Sequence, residues 1–551
     1  MKNSKIKKIC ALVLTAVLGT SVLAGCGDKD SSGGSSEQHL IHNLGTEVKT
    51  IDPALNNAVD GSIVIANAFE GLYRMDENLK PAPGVAEDVK VSDDKLVYTF
   101  KLRKDAKWSD GKEVTADDFK YAWTRALDPK VAADYAFQLY YIKGAEEFNT
   151  GKGKAEDLGI KVVDPQTLEV TLKNPTPYFL ELVAFPTYMP VRQDIVEANK
   201  DTWTQKADTY VSNGPFKMTD YKMKDAYELA KNDNYWNKDS VKLDKLTFKM
   251  IADETSAYAS VKNGEIHVSD KVPTVEIKNG KEEGIVQIYD YLGTYFYAIN
   301  VNNHADKLDP KVKEALGKKE VRQALNLAIN RKQIVDEVAQ GGQIPAWSFV
   351  PTGIKDADGK EFADKKYWNP EDYDKNVEKA KELLEKAGYK DGKGLPELEL
   401  SYNTDEGNKA IAESIQQMWS KIGVNVKLVN QEWAVFQDSR KNGQYEIARH
   451  GWIGDYLDPM TFLDMWMTGL GNNDPKFANK DYDELIRTAM KETDVAKRKE
   501  VLRKAEDILM DEMPIIPIYY YTQVKAVDKS VKGMVVSPLG QIYYDKASIE
   551  K

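Results

Sequence analysis

Residues 398–428, LELSYNTDEGNKAIAESIQQMWSKIGVNVKL, change their hydrophobic period twice. Leu398, Leu400 and Tyr402 alternate with polar residues, which is typical of a half-buried strand. Helical spacing follows, and its apolar positions are Ile411, Ile415, Met418, Trp419 and Ile422. Gly423 supplies a helix stop, after which Val424, Val426 and Leu428 resume alternation. The stretch predicts a βαβ unit with a right-handed crossover, and therefore an α/β fold with mixed sheets.

Further helices are predicted on both sides of this unit. Apolar residues from Val377 to Ala387 mark an amphipathic helix that ends at Gly388. Thr115 and Asp118 form a capping box ahead of another helix. A third helix covers residues 501–509 and is terminated by Pro514. The sequence shows no internal repeat.

The composition of the 551-residue chain is that of a globular protein, and its length would allow three or four domains. Hydrophobic residues make up 42% and charged residues 30%, and the net charge of −11 argues against nucleic-acid binding. Two cysteines, Cys10 and Cys26, exclude a disulfide scaffold. With five histidines and no H-E-x-x-H pair, we expect neither a metal site nor a cofactor.

Motifs that carry catalysis are missing from the sequence. It contains no phosphate loop, no G-x-G-x-x-G after a strand and no G-x-S-x-G nucleophile elbow. We therefore predict that the protein is not an enzyme. A secreted hydrolase of unrecognised type remains the alternative from a different class.

The N-terminus is typical of an export signal. Residues 1–8 carry four lysines and no acid, and residues 9–24 form an apolar stretch of the length of a secretory signal. The next residues complete a Leu-Ala-Gly-Cys sequence ending at Cys26, which resembles the lipobox of bacterial lipoproteins. The resemblance implies that residues 1–25 are removed and that Cys26 is lipidated. Residues 26–36 are rich in Gly and Ser and predict a flexible tether.

A second set of motifs runs through the rest of the chain. PGVAE at residues 83–87 and LVYTFKLRKDAKWSDG at residues 96–111 predict a short hairpin followed by a turn at residues 109–111. Further motifs are IDP at 51–53, FEGL at 69–72, NGPF at 213–216, NGEI at 263–266, VRQA at 321–324, GVNV at 423–426, NQEW at 430–433 and ARHGWIGDY at 448–456. Together they resemble the peptide-binding branch of the extracytoplasmic solute-binding proteins, the receptors of ABC importers.

The resemblance implies a periplasmic-binding-protein-like fold of the class II type. Two α/β lobes close on a ligand around a hinge, and an additional third domain is appended to one lobe. Domain I would comprise residues 37–70, 195–290 and 523–551, domain II residues 71–194, and domain III residues 291–522. The strands that cross between the lobes are expected at residues 291–301 and 519–524.

The resemblance also implies the binding residues. The main chain near Asn57, Ala58 and Val59 and near Gly451, Trp452 and Ile453 would bond an extended peptide. Asp455 would pair with the ligand's α-ammonium and Arg449 with the carboxylate of a short ligand. Aromatic rings would line the side-chain pockets, and these are Trp433, Trp452, Tyr135, Phe296 and Tyr521.

Each assignment has a structural alternative. Asp455 could cap the turn at residues 458–459, Arg449 could form an internal salt bridge, and the rings could belong to the core. The best-known Gram-negative members carry a lysine and a histidine for the carboxylates of longer peptides. Ala339 and Asn408 stand at the corresponding positions here, which puts that clamp in doubt.

The function implied is that of a lipid-anchored receptor on the extracellular face of the cell membrane, which hands oligopeptides to the permease of an ABC transporter. We expect a monomer, and the lipid anchor suggests a cell without an outer membrane, as in Gram-positive bacteria. Within the same family, a receptor for a signalling peptide or for another solute stays open. A nickel site is disfavoured by the few histidines.

Overall fold

The computed structural model describes residues 37–76, 80–301, 308–355 and 360–550. The predicted signal peptide, most of the tether, and Cys10 and Cys26 lie outside these ranges. The strands are β1 (His39–Asn43), β2 (Tyr73–Met75), β3 (Pro81–Pro83), β4 (Ala86–Val91), β5 (Val97–Leu102), β6 (Ile160–Asp164), β7 (Thr167–Thr171), β8 (Phe216–Lys222), β9 (Ala226–Lys231), β10 (Lys245–Lys249), β11 (Val268–Ser269), β12 (Val286–Ile299), β13 (Ile344–Pro345), β14 (Leu398–Asn403), β15 (Val426–Gln431), β16 (Ile447–Ile453), β17 (Ile515–Val527), β18 (Val531–Lys532), β19 (Val535–Val536), β20 (Ile542–Tyr543) and β21 (Ser548–Ile549).

The helices lie between and around these strands. They are α1 (Val59–Ala68), α2 (Ala116–Leu127), α3 (Ala145–Asn149), α4 (Phe179–Leu182), α5 (Gln193–Asn199), α6 (Glu254–Lys262), α7 (Ile277–Glu283), α8 (Pro310–Gly317), α9 (Lys319–Leu327), α10 (Arg331–Gln333), α11 (Tyr373–Lys386), α12 (Glu406–Ser420), α13 (Trp433–Lys441), α14 (Met460–Leu463), α15 (Lys480–Ala489) and α16 (Val495–Glu512). A π-helical turn, Ile334–Ala339, follows α10. None of the helices in the described ranges is long and apolar enough to cross a membrane.

One mixed sheet joins two lobes. Its strand order is β15-β14-β16-β12-β17-β11-β1-β10-β9-β8, with β13 beside β17. The strands β8 to β11 and β1 belong to the first lobe, and β14 to β16 belong to the second. The long antiparallel strands β12 and β17 run through both. They contain residues 291–299 of the first crossing expected from the resemblance and all of the second, residues 519–524.

The crossing strands change register between the lobes. Asp290 pairs with Thr522, whereas the next paired residue of β12, Thr294, faces Tyr520. This irregularity leaves residues 291–293 without a partner in β17 where the chain passes from one lobe to the other. Gly293 is required here, because a Cβ atom would lie 2.6 Å from the carbonyl oxygen of Trp452.

The βαβ prediction is confirmed. β14 and β15 are parallel neighbours, and α12 connects them. Leu398 and Leu400 point into a core that also receives Ile411, Ile415 and Trp419 from α12. The helices predicted from Val377, from the Thr115 capping box and before Pro514 are confirmed as α11, α2 and α16.

A separate four-stranded sheet forms the third domain, in the order β4-β5-β7-β6. β5 alternates as predicted, with Tyr98, Phe100 and Leu102 buried, and it pairs antiparallel with β4. Residues 107–113 then turn back, and the N–H of Gly111 donates to the Trp108 carbonyl at 2.8 Å. The residue boundaries of the three domains stay a prediction.

Candidate functional site: a cleft between the lobes

A cleft of about 1300 Å³ lies between the two lobes. Small-molecule sites usually enclose about 300–1,000 Å³, so this cleft has room for a larger ligand. The start of α1 and the segment after β11 line one side, and β16 with the first turns of α12 and α13 lines the other. No group of three or more His, Cys, Asp or Glu side chains that would suit a metal ion occurs among the described residues.

The structure brings most of the predicted site residues together in this cleft. Those in its lining are Asn57, Ala58, Val59, Tyr135, Trp433, Arg449, Gly451, Trp452, Ile453, Asp455 and Tyr521. Their shared position is an observation, and their individual roles in binding a ligand stay predictions.

Phe296 was expected to line the cleft, and this prediction is wrong. Its side chain is fully buried, stacks on the His450 ring with centroids 4.6 Å apart, and packs edge-on against Phe349 and Trp466. The structure therefore places this ring in the core and not in the lining of the cleft. The reason is that residues 292–299 of β12 are buried on both faces of the sheet.

One edge of β16 is open to the cleft. β12 pairs with β16 along Gly293 to Ile299, which occupies the first edge. On the second edge, β14 pairs only with Ile447 and Ala448. Residues 449–453 continue beyond β14 and line the cleft. Among the described residues, no strand pairs with this part of the second edge.

Asp455 follows this open edge and is 7% exposed. Its N–H donates to Thr461 Oγ1 at 2.9 Å, which fixes the start of the loop after β16. Gln138 Nε2 of the third domain donates to the carboxylate at 2.5 Å. The Tyr135 ring lies alongside and stacks on Trp452 with centroids 6.0 Å apart. Asp455 thus lies at the junction of the second lobe and the third domain.

The carboxylate of Asp455 lacks a cationic partner within the described chain. Burial raises its pKa well above the usual value, and the charge of Asp464 raises it further. The hydrogen bonds from Gln138 and Tyr135 act in the opposite direction but do not compensate. Burial also raises the pKa of Asp464 to about 7, and one of its carboxylate oxygens has no hydrogen-bond partner among the described residues. Two buried carboxyl groups with raised pKa values therefore lie near each other here, and no cation among the described residues stabilises their charged forms.

Arg449 lies at the other end of the open edge. Its Nη2 donates to the Tyr521 hydroxyl at 3.0 Å, and its guanidinium lies over the Tyr295 ring, 4.9 Å from the centroid. Burial lowers the pKa of Arg449, but the nearby tyrosines and Asp405 outweigh this and raise it. The side chain is charged and held by aromatic rings, with its Nε unbonded in the described chain.

Ion pairs connect the two sides of the cleft. Lys271, after β11, lies 2.5 Å from Asp405, the N-cap residue of α12, and 3.8 Å from Glu254. Burial and the charge of Asp405 raise the pKa of Glu254 to about 7. At the rim, Lys49 lies 3.0 Å from Asp438. These contacts hold the lobes together as the structure has them.

Sequence reasoning missed several residues of the cleft. Lys271 and Asp405 are 134 positions apart, so no local pattern could associate them. Gln437 and Arg440 could have been found, because they follow Trp433 at spacings of four and seven on α13. Of the two suspected clamp positions, Asn408 lines the cleft and accepts from the Tyr295 hydroxyl at 3.0 Å. Ala339 ends the π-helical turn after α10 and lies outside the lining.

Comparison with known proteins extends these findings. Residues 80–474 match the family of bacterial extracellular solute-binding proteins, family 5. The chain is 41% identical to the oligopeptide-binding protein OppA of Bacillus subtilis, over 98% of this chain and 99% of that protein. It superposes on the murein tripeptide-binding protein MppA of Escherichia coli with a TM-score of 0.86 at 33% identity, covering 94% of this chain and 99% of the other. Haemophilus influenzae OppA in complex with the peptide RPPGFSPFR gives a TM-score of 0.86 at 33% identity, covering 94% and 100%.

Proposed function

Because the chain belongs to family 5 of the bacterial extracellular solute-binding proteins, we propose that it binds oligopeptides in an extended conformation between its two lobes. The observation that carries this proposal is the buried carboxylate of Asp455, which has no cationic partner among the described residues and lies at the end of an open strand edge. An α-ammonium group is a cation that every peptide with a free N-terminus supplies.

Binding to the open edge would be independent of the peptide's sequence. A ligand strand beside residues 449–453 would use its own N–H and C=O groups, which all peptides share. Each such hydrogen bond contributes about 0.5–1.5 kcal/mol. Several of them, together with the ammonium contact, reach the approximately −8.2 kcal/mol that corresponds to micromolar affinity.

The proposed function requires a conformational change in which the two lobes close on the ligand, and no chemical reaction. A ligand that contacts both walls favours the closed state because its affinity for that state is higher. The Lys271–Asp405 pair across the cleft would add to the stability of that state. We propose no catalytic step, and the different-class alternative of a hydrolase has no nucleophile or base to support it.

The protein would act at the outer face of the cell membrane. We propose that Cys26 is lipidated after removal of residues 1–25, that residues 26–36 tether the body, and that a monomeric receptor delivers peptides to the permease of an ABC transporter. Two acyl chains give stable anchoring where one does not. Cys26→Ser should release the protein into the medium or leave it unprocessed. Fractionation that finds the variant processed and still membrane-bound would contradict the anchor.

The test of the binding function is mass spectrometry of ligands that co-purify with the protein. A mixture of peptides of varied sequence is the expected result. A single defined peptide would instead indicate a signalling receptor of the same family. Co-purification of a different class of solute, together with no binding of added peptides in calorimetry, would overturn the proposal.

A further inference from the structure

A group of polar side chains forms part of the cleft lining beside β16. Trp433, Gln437 and Arg440 form one wall, since they lie at spacings of four and three on the same face of α13. The Arg440 guanidinium lies 6.0 Å from the centroid of the Trp433 ring. Asn472 and Asp474, from the loop before α15, also line the cleft, and Asp474 lies 3.6 Å from Arg440 Nε. We call these five residues the amide pocket.

The charges of the amide pocket are balanced by the protein itself. Arg440 Nε lies 3.6 Å from Asp474, and His450 Nε2 lies 3.2 Å from the same carboxylate. Burial and the charge of Arg440 lower the pKa of His450 to about 4, so the imidazole is neutral at pH 7. At the edge of the pocket, Lys441 lies 2.5 Å from Asp134. Within this pocket, an additional carboxylate would meet a cation, Arg440, that already has Asp474 as its partner.

Several hydrogen-bonding groups of the amide pocket, in contrast, form no hydrogen bond with the described residues. Three buried donor atoms have no hydrogen-bond partner among the described residues, and they are Trp433 Nε1, Arg440 Nε and Asn472 Nδ2. The buried acceptor Gln437 Oε1 also lacks a partner in the described chain. Such groups must bond whatever fills the cleft, whether water or ligand. A ligand group that displaces this water gains affinity only if it reproduces the same bonds.

We propose that the amide pocket selects ligands with a glutamine or asparagine side chain at one position of the peptide. A carboxamide matches the pocket because its oxygen accepts from the free donors while its NH₂ group donates to Gln437 Oε1. A carboxylate supplies acceptors alone and brings an uncompensated charge. A thioether or an alkyl chain supplies almost nothing and leaves all four groups without partners. This inference rests on the proposed peptide-binding function and defines its ligand class.

The test uses calorimetry on the mature protein with alanine tripeptides that carry a single Gln, Met or Glu at position 1, 2 or 3. These side chains have similar lengths and differ in hydrogen bonding and charge. At one of the three positions, Gln should bind about tenfold more tightly than Met and than Glu. Equal affinities at all positions, or tightest binding by Glu, would overturn the inference. If none of the peptides binds, the proposed function itself fails, which is a different result from binding without preference.

Substitutions in the amide pocket test whether this pocket causes the preference for Gln-containing peptides. Gln437→Met should remove most of the difference between the Gln and Met peptides. The matched control is Gln416→Met. Gln416 lies on α12 outside the cleft lining, and its Nε2 donates to the Val426 carbonyl of β15. This control should keep the tenfold preference. If Gln437→Met does not fold, Trp433→Phe retains a ring, loses one donor, and should reduce the preference several-fold. A preference unchanged in the folded variants would contradict the assignment.

Discussion

The two ends of the open β16 edge differ in how well the protein satisfies its own charges. At the Asp455 end, a buried carboxylate has another carboxylate nearby and is held by an amide and a tyrosine, without a cation. At the Arg449 end, the guanidinium is bonded to Tyr521 and packed on Tyr295, and Lys271 is already paired with Asp405. The first end lacks a cation that a ligand's ammonium would supply, whereas at the second end Lys271 is already paired and Arg449 is held by tyrosines, without a carboxylate partner among the described residues.

This difference indicates which end of the peptide should provide most of the binding affinity and at which end the peptide's length should be free to vary. A buried charge without a partner is costly, so a ligand that supplies the partner gains the most. Lys271 is already paired with Asp405 and gains little from a further anion, and Arg449 has a fixed place on the edge, so it can reach the carboxylate of one short peptide length only. The N-terminus of a peptide should therefore be required, while its C-terminus and hence its length should be loosely specified.

The largest expected effect is that of Asp455→Asn on peptide affinity. Removing one partner of a buried ion pair costs about 3–5 kcal/mol, which corresponds to a loss of about 10²–10³-fold or more in affinity. Calorimetry with an alanine tripeptide measures this. The matched control is Asp438→Asn, an exposed carboxylate at the cleft rim whose loss should change affinity about twofold at most. Retention of wild-type affinity by Asp455→Asn would show that the amine binds elsewhere.

The same substitution should stabilise the protein without ligand. The pKa of Asp455 is raised in the folded state, so this group favours folding below its unfolded pKa, and the contribution is lost as the pH rises through the folded pKa. At pH 8, ligand-free Asp455→Asn should have a free energy of unfolding at least about 1 kcal/mol above that of the wild type. Below pH 4 the difference should disappear. Urea unfolding at the two pH values measures it, and a variant less stable than the wild type at pH 8 would contradict the account.

A smaller effect is expected for the ion pair across the cleft. Lys271→Met leaves Asp405 and Glu254 without their shared cation, so the two walls should repel each other. Because the pair is partly exposed, we expect peptide affinity to fall about three- to tenfold. Lys49→Met, which breaks the more exposed Lys49–Asp438 pair, should change affinity less than twofold. If the two variants behave alike, Lys271 has no special role in closure.

The smallest effect is expected at the ligand's C-terminus. Amidation of a tetra- or pentapeptide should change its affinity by less than about fivefold, because a solvated carboxylate contributes about 0–1 kcal/mol. Amidation of the shortest accepted peptide should weaken binding, and Arg449→Ala should remove that difference. A loss of tenfold or more on amidation at four or five residues would reveal a C-terminal clamp.

Local periodicity predicted the elements of the fold, and the reason is visible in particular residues. Leu398, Leu400 and Ile411 follow the periods of a strand and a helix because one face of each element is buried. Phe296 was assigned to the cleft by the family resemblance, and alternation along its strand could not correct this, because residues 292–299 are buried on both faces.

The arrangement of charges in the cleft could not be read from the sequence in the same way. Asp455 was identified through a resemblance of the surrounding motif, and its lack of a cation appears only in three dimensions. Gln138, its hydrogen-bond partner, is 317 positions away. Pairing between distant segments depends on the packing of whole lobes, and spacing along the chain carries no information about it.

The central claim, that Asp455 binds the ligand's α-ammonium, is tested most directly by comparing a free tripeptide with its N-acetylated form. Both present the same side chains and main chain, but the acetylated form lacks the cation. The account predicts that calorimetry on the wild type finds the acetylated peptide about 10²-fold weaker or undetectable, and that Asp455→Asn binds both forms equally weakly. Equal affinity of the wild type for the two forms would contradict the account.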